Sequence, residues 1–174
     1  MYDQWIYNHE FSYIHARFLV FAFIGNPLEI FRKAYDALEP GGWFEIQDST
    51  PLRSIDGSTK GTYLQKIYDL VFEAATKRGA NLDVAETYKD AMIEAGFEDV
   101  KEVVFPWPIG TWAKNALHKQ IGAWFHKDVS EGIEGIAMGL LTRMIGMAKE
   151  EVEVLTARAQ EDMLNKNIHG HHNL

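Results

Sequence analysis

The sequence predicts an α/β fold: a small, mainly parallel sheet of about three strands, followed by a C-terminal helical cap. Three observations predict it. Apolar segments at Phe11 to Phe23 and at Trp43 to Ile46 flank a helical repeat, and a strand-helix-strand unit of that kind normally makes a right-handed parallel crossover. Between the helix and the second strand stands LEPGGWFEIQD, Leu38 to Asp48, in which Pro40 cannot continue a helix and Gly41 and Gly42 can take the positive φ of a tight reversal. From Thr111 onward the apolar residues recur at helical spacing only. The expected organisation is therefore a single domain over residues 1–174, with an α/β part at 1–110 and a helical cap at 111–174.

Taken in order, FSYIHARFLVFAF begins with alternation and becomes continuously apolar, the pattern of a strand buried on both faces. Asn26 can cap a helix and Pro27 suits its first turn, with Leu28, Phe31, Tyr35 and Leu38 on one face. After Asp48 the segment STPLRSIDGSTKG reads as a loop at the carboxyl end of the strand, where ligands sit in open α/β sheets. Leu64, Ile67, Tyr68, Val71, Phe72 and Ala75 make an amphipathic helix closed by Gly79. Asp83 and Glu86 resemble a capping box before a helix that Gly96 ends. A strand is expected at Val100 to Phe105, stopped by Pro106 and Pro108. Three helices follow: one through Leu117, Ile121 and Trp124, one through Ile133 to Ile145, and one from about Lys149 through Met163.

Composition narrows the function classes. A net charge of −8 without a Lys/Arg cluster argues against a nucleic-acid partner. The sequence has no run of about 18 apolar residues, so a membrane span is not expected. The N-terminal MYDQWIYNHE lacks the features of a secretory signal, which suggests a cytoplasmic or nuclear location. With no cysteine, disulfides, thiolate nucleophiles and cysteine metal sites are excluded. Five Trp, seven Tyr and ten Phe can line an apolar ligand pocket, form a subunit interface or simply fill the core.

Together, FSYIHARFL, LEPGGWFEIQD, the AGFEDV turn and the segment from WPIGTW through LLTRMIG resemble the fungal LaeA-like class I methyltransferases, which use S-adenosylmethionine. The resemblance covers nearly the whole chain and implies a Rossmann-type, methyltransferase-like sheet in reduced form. It also implies a departure, because the match begins at the fourth strand of that fold. The Gly-rich loop and the acidic ribose ligand that hold the cofactor have no counterpart, so no cofactor is expected. A parallel sheet missing its neighbours leaves an apolar edge at Phe11 to Leu19, and the expectation is a homodimer that completes the sheet.

Several residues are candidates for chemistry. His15 and Arg17 share a face of their strand, either as general base and anion clamp or as a buried hydrogen-bonding pair. Gln47 and Asp48 lie at the end of the central strand; Asp48 is either an acid or base with a raised pKa or a cap for the loop through Ser49 and Thr50. His118 and His126 fall about 80° apart around one predicted helix, poor geometry for joint metal binding. Trp107, Trp112 and Trp124 either wall a planar ligand or fill the core, and Tyr63 opens the helix after the loop. His169, His171 and His172 read as a frayed tail rather than a metal tract. No metal site is expected.

Two function classes follow. One is an enzyme that cyclises or isomerises a hydrophobic small molecule of secondary metabolism by shape and acid/base catalysis, with His15, Asp48, His118 and His126 as its catalytic residues. The other is a non-catalytic regulatory or scaffold subunit. A further alternative is half of a split S-adenosylmethionine-dependent methyltransferase.

Overall fold

The computed structural model describes residues 5–174, so the first four residues of the N-terminal segment discussed above lie outside it. The fold is mixed α/β, as expected. The chain divides into two compact units, one formed by the chain up to Thr50 with Gly79–Val104, the other by Pro51–Arg78 with Phe105–Leu174.

In the first unit, strand β1 (Phe11–Arg17) pairs in parallel with β2 (Leu38–Gln47) across helix α1 (Leu28–Asp36). Asn26 Oδ1 accepts the Leu28 N–H at 2.9 Å and starts the helix directly before its first turn. The Pro-Gly-Gly segment is a bulge inside β2: Phe11 pairs with Leu38, and pairing resumes at Tyr13 with Trp43. Gly41 takes φ +85°, while Gly42 lies so close to Glu39 O and Phe11 O, both within about 3.1 Å of where a Cβ would stand, that backbone meets backbone there. Phe23 and Phe31 are fully buried and contact Tyr88 edge to face, with centroids 5.7 and 5.3 Å away. Each such ring contributes roughly 1.5–3 kcal/mol by burial alone. A 3₁₀ turn (Val84–Thr87) leads into α3 (Tyr88–Ala95), which Gly96 closes in the left-handed conformation.

The second unit carries β3 (Arg53–Ser54), α2 (Tyr63–Lys77), β4 (Pro106–Pro108), α4 (Ala116–Leu140), α5 (Lys149–Leu164) and β5 (Gly170–Asn173). Its three short strands form an antiparallel sheet in the order β3-β5-β4. Thr62 and Asn115 cap α2 and α4 through their side chains. Leu64, Ile67, Leu141, Val152 and Ala159 are almost wholly buried and form the core under the helices.

Several expectations are corrected. β1 is not buried on both faces: Tyr13 is 51% exposed, and His15 and Arg17 are also exposed. No strand forms over Val100 to Val104, which are half-buried at Val100 and exposed beyond it; Phe105 exchanges backbone hydrogen bonds with Leu174 at 2.8 and 2.9 Å, and β4 itself begins at Pro106. Proline tolerates that place because β4 is an edge strand. The two helices expected between Leu117 and Ile145 are one helix of 25 residues followed by a π turn (Leu141–Ile145), since isolated glycines cost only about 1 kcal/mol each. Asp83 makes no side-chain cap; Asn81 Oδ1 instead accepts the Asp83 N–H at 3.0 Å. The tail is not frayed, because β5 is the middle strand of its sheet.

Candidate functional site

The alternation of β1 and β2 sends Ile14, Ala16, Phe44 and Ile46 toward one side, where they meet Ile30, Phe31 and Ala34 of α1. The elements do not close completely. Between them lies a cavity of about 400 Å³, bordered also by Leu19, Phe23, His15 and Arg17, and its lining is overwhelmingly apolar. That volume is in the range of pockets for small organic molecules.

The opposite face of the same strands is polar and exposed. Tyr13 donates its hydroxyl hydrogen to Glu45, and Gln47 Nε2 donates to the other Glu45 oxygen at 2.6 Å. The hydrogen bond from Tyr13 first, then that from Gln47 and the charge of His15, lower the Glu45 pKa, and the same carboxylate raises that of Tyr13. His15 pairs with Glu45 and Arg17 with Gln47 in the strand register. The Arg17 guanidinium lies 4.8 Å from the centre of the Phe18 ring, and His15 and Arg17 do not form a buried pair.

Asp48 is buried at the end of β2 and surrounded by donors. One oxygen accepts the Leu19 N–H at 3.0 Å and the Tyr88 hydroxyl at 2.9 Å; the other accepts the Ser49 N–H at 3.0 Å. Burial raises its pKa, and these hydrogen bonds oppose the rise. The carboxylate thus ties the strand end to the turn at Leu19 and to α3.

The remaining predicted residues belong to the second unit and do not converge. His118 and His126 lie on α4, both half-buried. Trp107 packs on Phe125 with centroids 5.5 Å apart, Trp112 Nε1 donates to Gly170 O at 3.1 Å, and Trp124 is 66% exposed, so the three indoles make no common wall. Tyr63 is exposed at the start of α2.

Sequence reasoning missed the tail cluster. A ring nitrogen of His172 hydrogen-bonds the Tyr68 hydroxyl at 2.9 Å, and burial alone raises the Tyr68 pKa. His169 Nδ1 pairs with Asp56 at 2.7 Å; Ser58, through its hydroxyl and N–H, and then His169 hold the Asp56 carboxylate well below its usual range. His171 Nδ1 is buried without a partner, and burial followed by the Arg53 charge lowers its pKa. The one signal was the period-two burial of Ile168, Gly170 and His172, concealed by their mixed polarity.

Among the described residues no group of three His, Asp or Glu side chains could hold a metal ion. No helix among them is long and apolar enough to cross a membrane. A Cβ at Gly42 would meet Glu39 O and Phe11 O, whereas nothing lies within 4 Å of one at Gly41, and internal donors occupy both Asp48 oxygens.

A family model described as a methyltransferase domain matches residues 3–102, more than half of the chain. The chain is 28% identical over 171 residues to the probable methyltransferase tdiE of Emericella nidulans, covering 97% of this chain and 53% of that protein. It is 30% identical over 169 residues to the methyltransferase cpsF of Aspergillus campestris, covering 96% and 59%. It is 28% identical over 145 residues to the protein-methionine methyltransferase laeA of Emericella nidulans, covering 82% and 38%. The chain spans about half the length of the curated relatives it matches.

Proposed function

This chain belongs to the methyltransferase-domain family, and on that footing we propose that it acts on a hydrophobic intermediate of fungal secondary metabolism without a methyl donor, as a cyclase or isomerase. The apolar cavity of about 400 Å³ between the sheet and α1 carries this reading. Such reactions need a shaped, dry space and one or two proton-transfer groups. Of the four candidate acids and bases, His15 alone borders the cavity, at the sheet edge; its side chain and that of Arg17 lie on the exposed face of β1, so both would have to turn in from there to reach a substrate carbonyl or anionic oxygen. Asp48 supports the site from behind by fixing the turn at Leu19.

Cyclisation and isomerisation conserve atoms, which gives the test. Inactivating the gene in the producing organism should accumulate a compound of the same mass as the missing product, and His15→Ala should reproduce that accumulation while retaining the fold. Accumulation of a precursor lighter by one CH₂ would replace this reading with methyl transfer. That second reading is favoured by one observation, the half-length coverage of the relatives: the chain would then work with another segment that holds S-adenosylmethionine. Calorimetry with S-adenosylmethionine on the isolated protein is a further check, since tight binding contradicts the donor-free mechanism; the mass of the accumulated precursor separates the two readings.

A further inference from the structure

We propose that β1 is the seam of a twofold-symmetric dimer, in which the β1 strands of two copies pair antiparallel about Ile14 and join their two-stranded sheets into one of four strands. The inference rests on the sheet itself and not on the reaction assigned to the cavity. Among the described residues β1 pairs only with β2, so its other edge has no strand partner. Exposed edges are normally blunted by proline, lysine, a bulge or an inward-pointing charge. Phe11–Arg17, FSYIHAR, contains no proline or lysine, and the bulge beside it belongs to β2 rather than to the free side.

The occupant is a second copy because the strand is complementary to itself. An axis at Ile14 sets Tyr13 against His15 of the other copy and Phe11 against Arg17 of the other copy. Arg17 is the single permanently charged side chain in β1, so no like charges meet, and each guanidinium gains a ring face. Arg17 already lies over an aromatic ring, Phe18, and has no acidic partner among the described residues. Tyr13 and His15 already stack within one chain with centroids 6.3 Å apart, so pairing would bring four rings onto one face. Trp43, 66% exposed and paired with Tyr13 in register, would flank them.

The test is the mass of the protein by light scattering at micromolar concentration, with two variants at one position. The expected mass is twice the 19.9 kDa of the chain. Phe11→Lys and Phe11→Glu lose the same ring, but lysine opposes Arg17 of the other copy whereas glutamate attracts it, and the twofold axis applies each effect twice. Phe11→Lys should weaken association at least tenfold relative to Phe11→Glu, with both variants keeping the native circular dichroism. A monomeric native protein overturns the proposal and assigns the edge to a different partner. Equal dimerisation by the two variants also overturns it, because the pairing would then lie elsewhere.

Discussion

Tyr88 donates its phenolic hydrogen to Asp48 across 2.9 Å, joining two buried groups forty positions apart in the chain. The same carboxylate holds the Leu19 and Ser49 N–H groups, so one side chain fixes three segments around the core. Tyr88→Phe should lower the unfolding free energy by about 1–3 kcal/mol, read from the urea midpoint. It should also move the Asp48 pKa further up, since it removes a bond that opposes the effect of burial. An NMR titration of the carboxyl carbon checks this.

The pH dependence of that site has a definite sign. A carboxyl whose folded pKa is raised contributes stability that is fully present below its unfolded value and is lost as pH rises through the folded value. The unfolding free energy of the native protein minus that of Asp48→Asn should therefore fall as pH is raised out of the ordinary carboxylate range. A difference that grows with pH would show that hydrogen bonding, not burial, dominates.

Glycines of α4 should respond in opposite directions. A Cβ at Gly122 would collide with Gly110 O, so Gly122→Ala should cost at least about 2 kcal/mol. Gly132, Gly135 and Gly139 have nothing within 4 Å of that position, and alanine there should stabilise the helix by about 0.5–1 kcal/mol each. Thermal melts of the four single variants test the contrast.

Removing residues 170–174 should destabilise the second unit by several times the roughly 1 kcal/mol of one hydrogen bond, because β5 serves both its neighbours. Gly170→Val is a milder probe, since its Cβ would stand 3.0 Å from Leu52 Cδ1. A tail that can be deleted without changing the melting temperature would contradict the sheet order.

Acidification should weaken the second unit in two stages. The His171 pKa is depressed, so its contribution is present above the ordinary histidine value and is lost as pH falls through the lower folded one. Asp56, also depressed, follows the same rule further down, in the carboxylate range, and its exposure makes that stage shallow. His171→Gln should abolish the upper stage and Asp56→Asn the lower, in denaturant midpoints measured across pH.

What the sequence disclosed tracks where local chemistry decides structure. Asn26 and Gly96 placed element ends correctly because a cap or a left-handed residue acts on its own turn. The β1–α1–β2 crossover was legible from periodicity together with Asn26 and Pro27, although Leu38 and the Pro-Gly-Gly segment fall inside β2 rather than in the helix and a turn before the strand. Val100 to Val104 misled because β propensity describes a half-buried surface, and no neighbouring strand provides one there; only Phe105 finds a backbone partner, Leu174. Trp124 misled through composition: an aromatic at helical spacing need not face inward. The cavity was invisible because it is set by how far apart the sheet and α1 stand, which no side-chain pattern encodes. The bonds from Asp48 to Tyr88 and from Asp56 to His169 join residues 40 and 113 positions apart, beyond the reach of any local signal.

The strand order β3-β5-β4 also governs assembly in time. The middle strand follows both of its neighbours in the chain, so on the ribosome β3 and β4 emerge first and have nothing between them to join. Arg53 must wait for His171, more than a hundred residues downstream, before its ladder can form. The second unit should therefore close late, with long-range strand insertion following its α-helices, and a stopped-flow refolding phase lost on removing residues 170–174 would check this. A nascent chain halted before Gly170 would expose the sides of β3 and β4 meant for that strand, the stage at which a chaperone has most to hold.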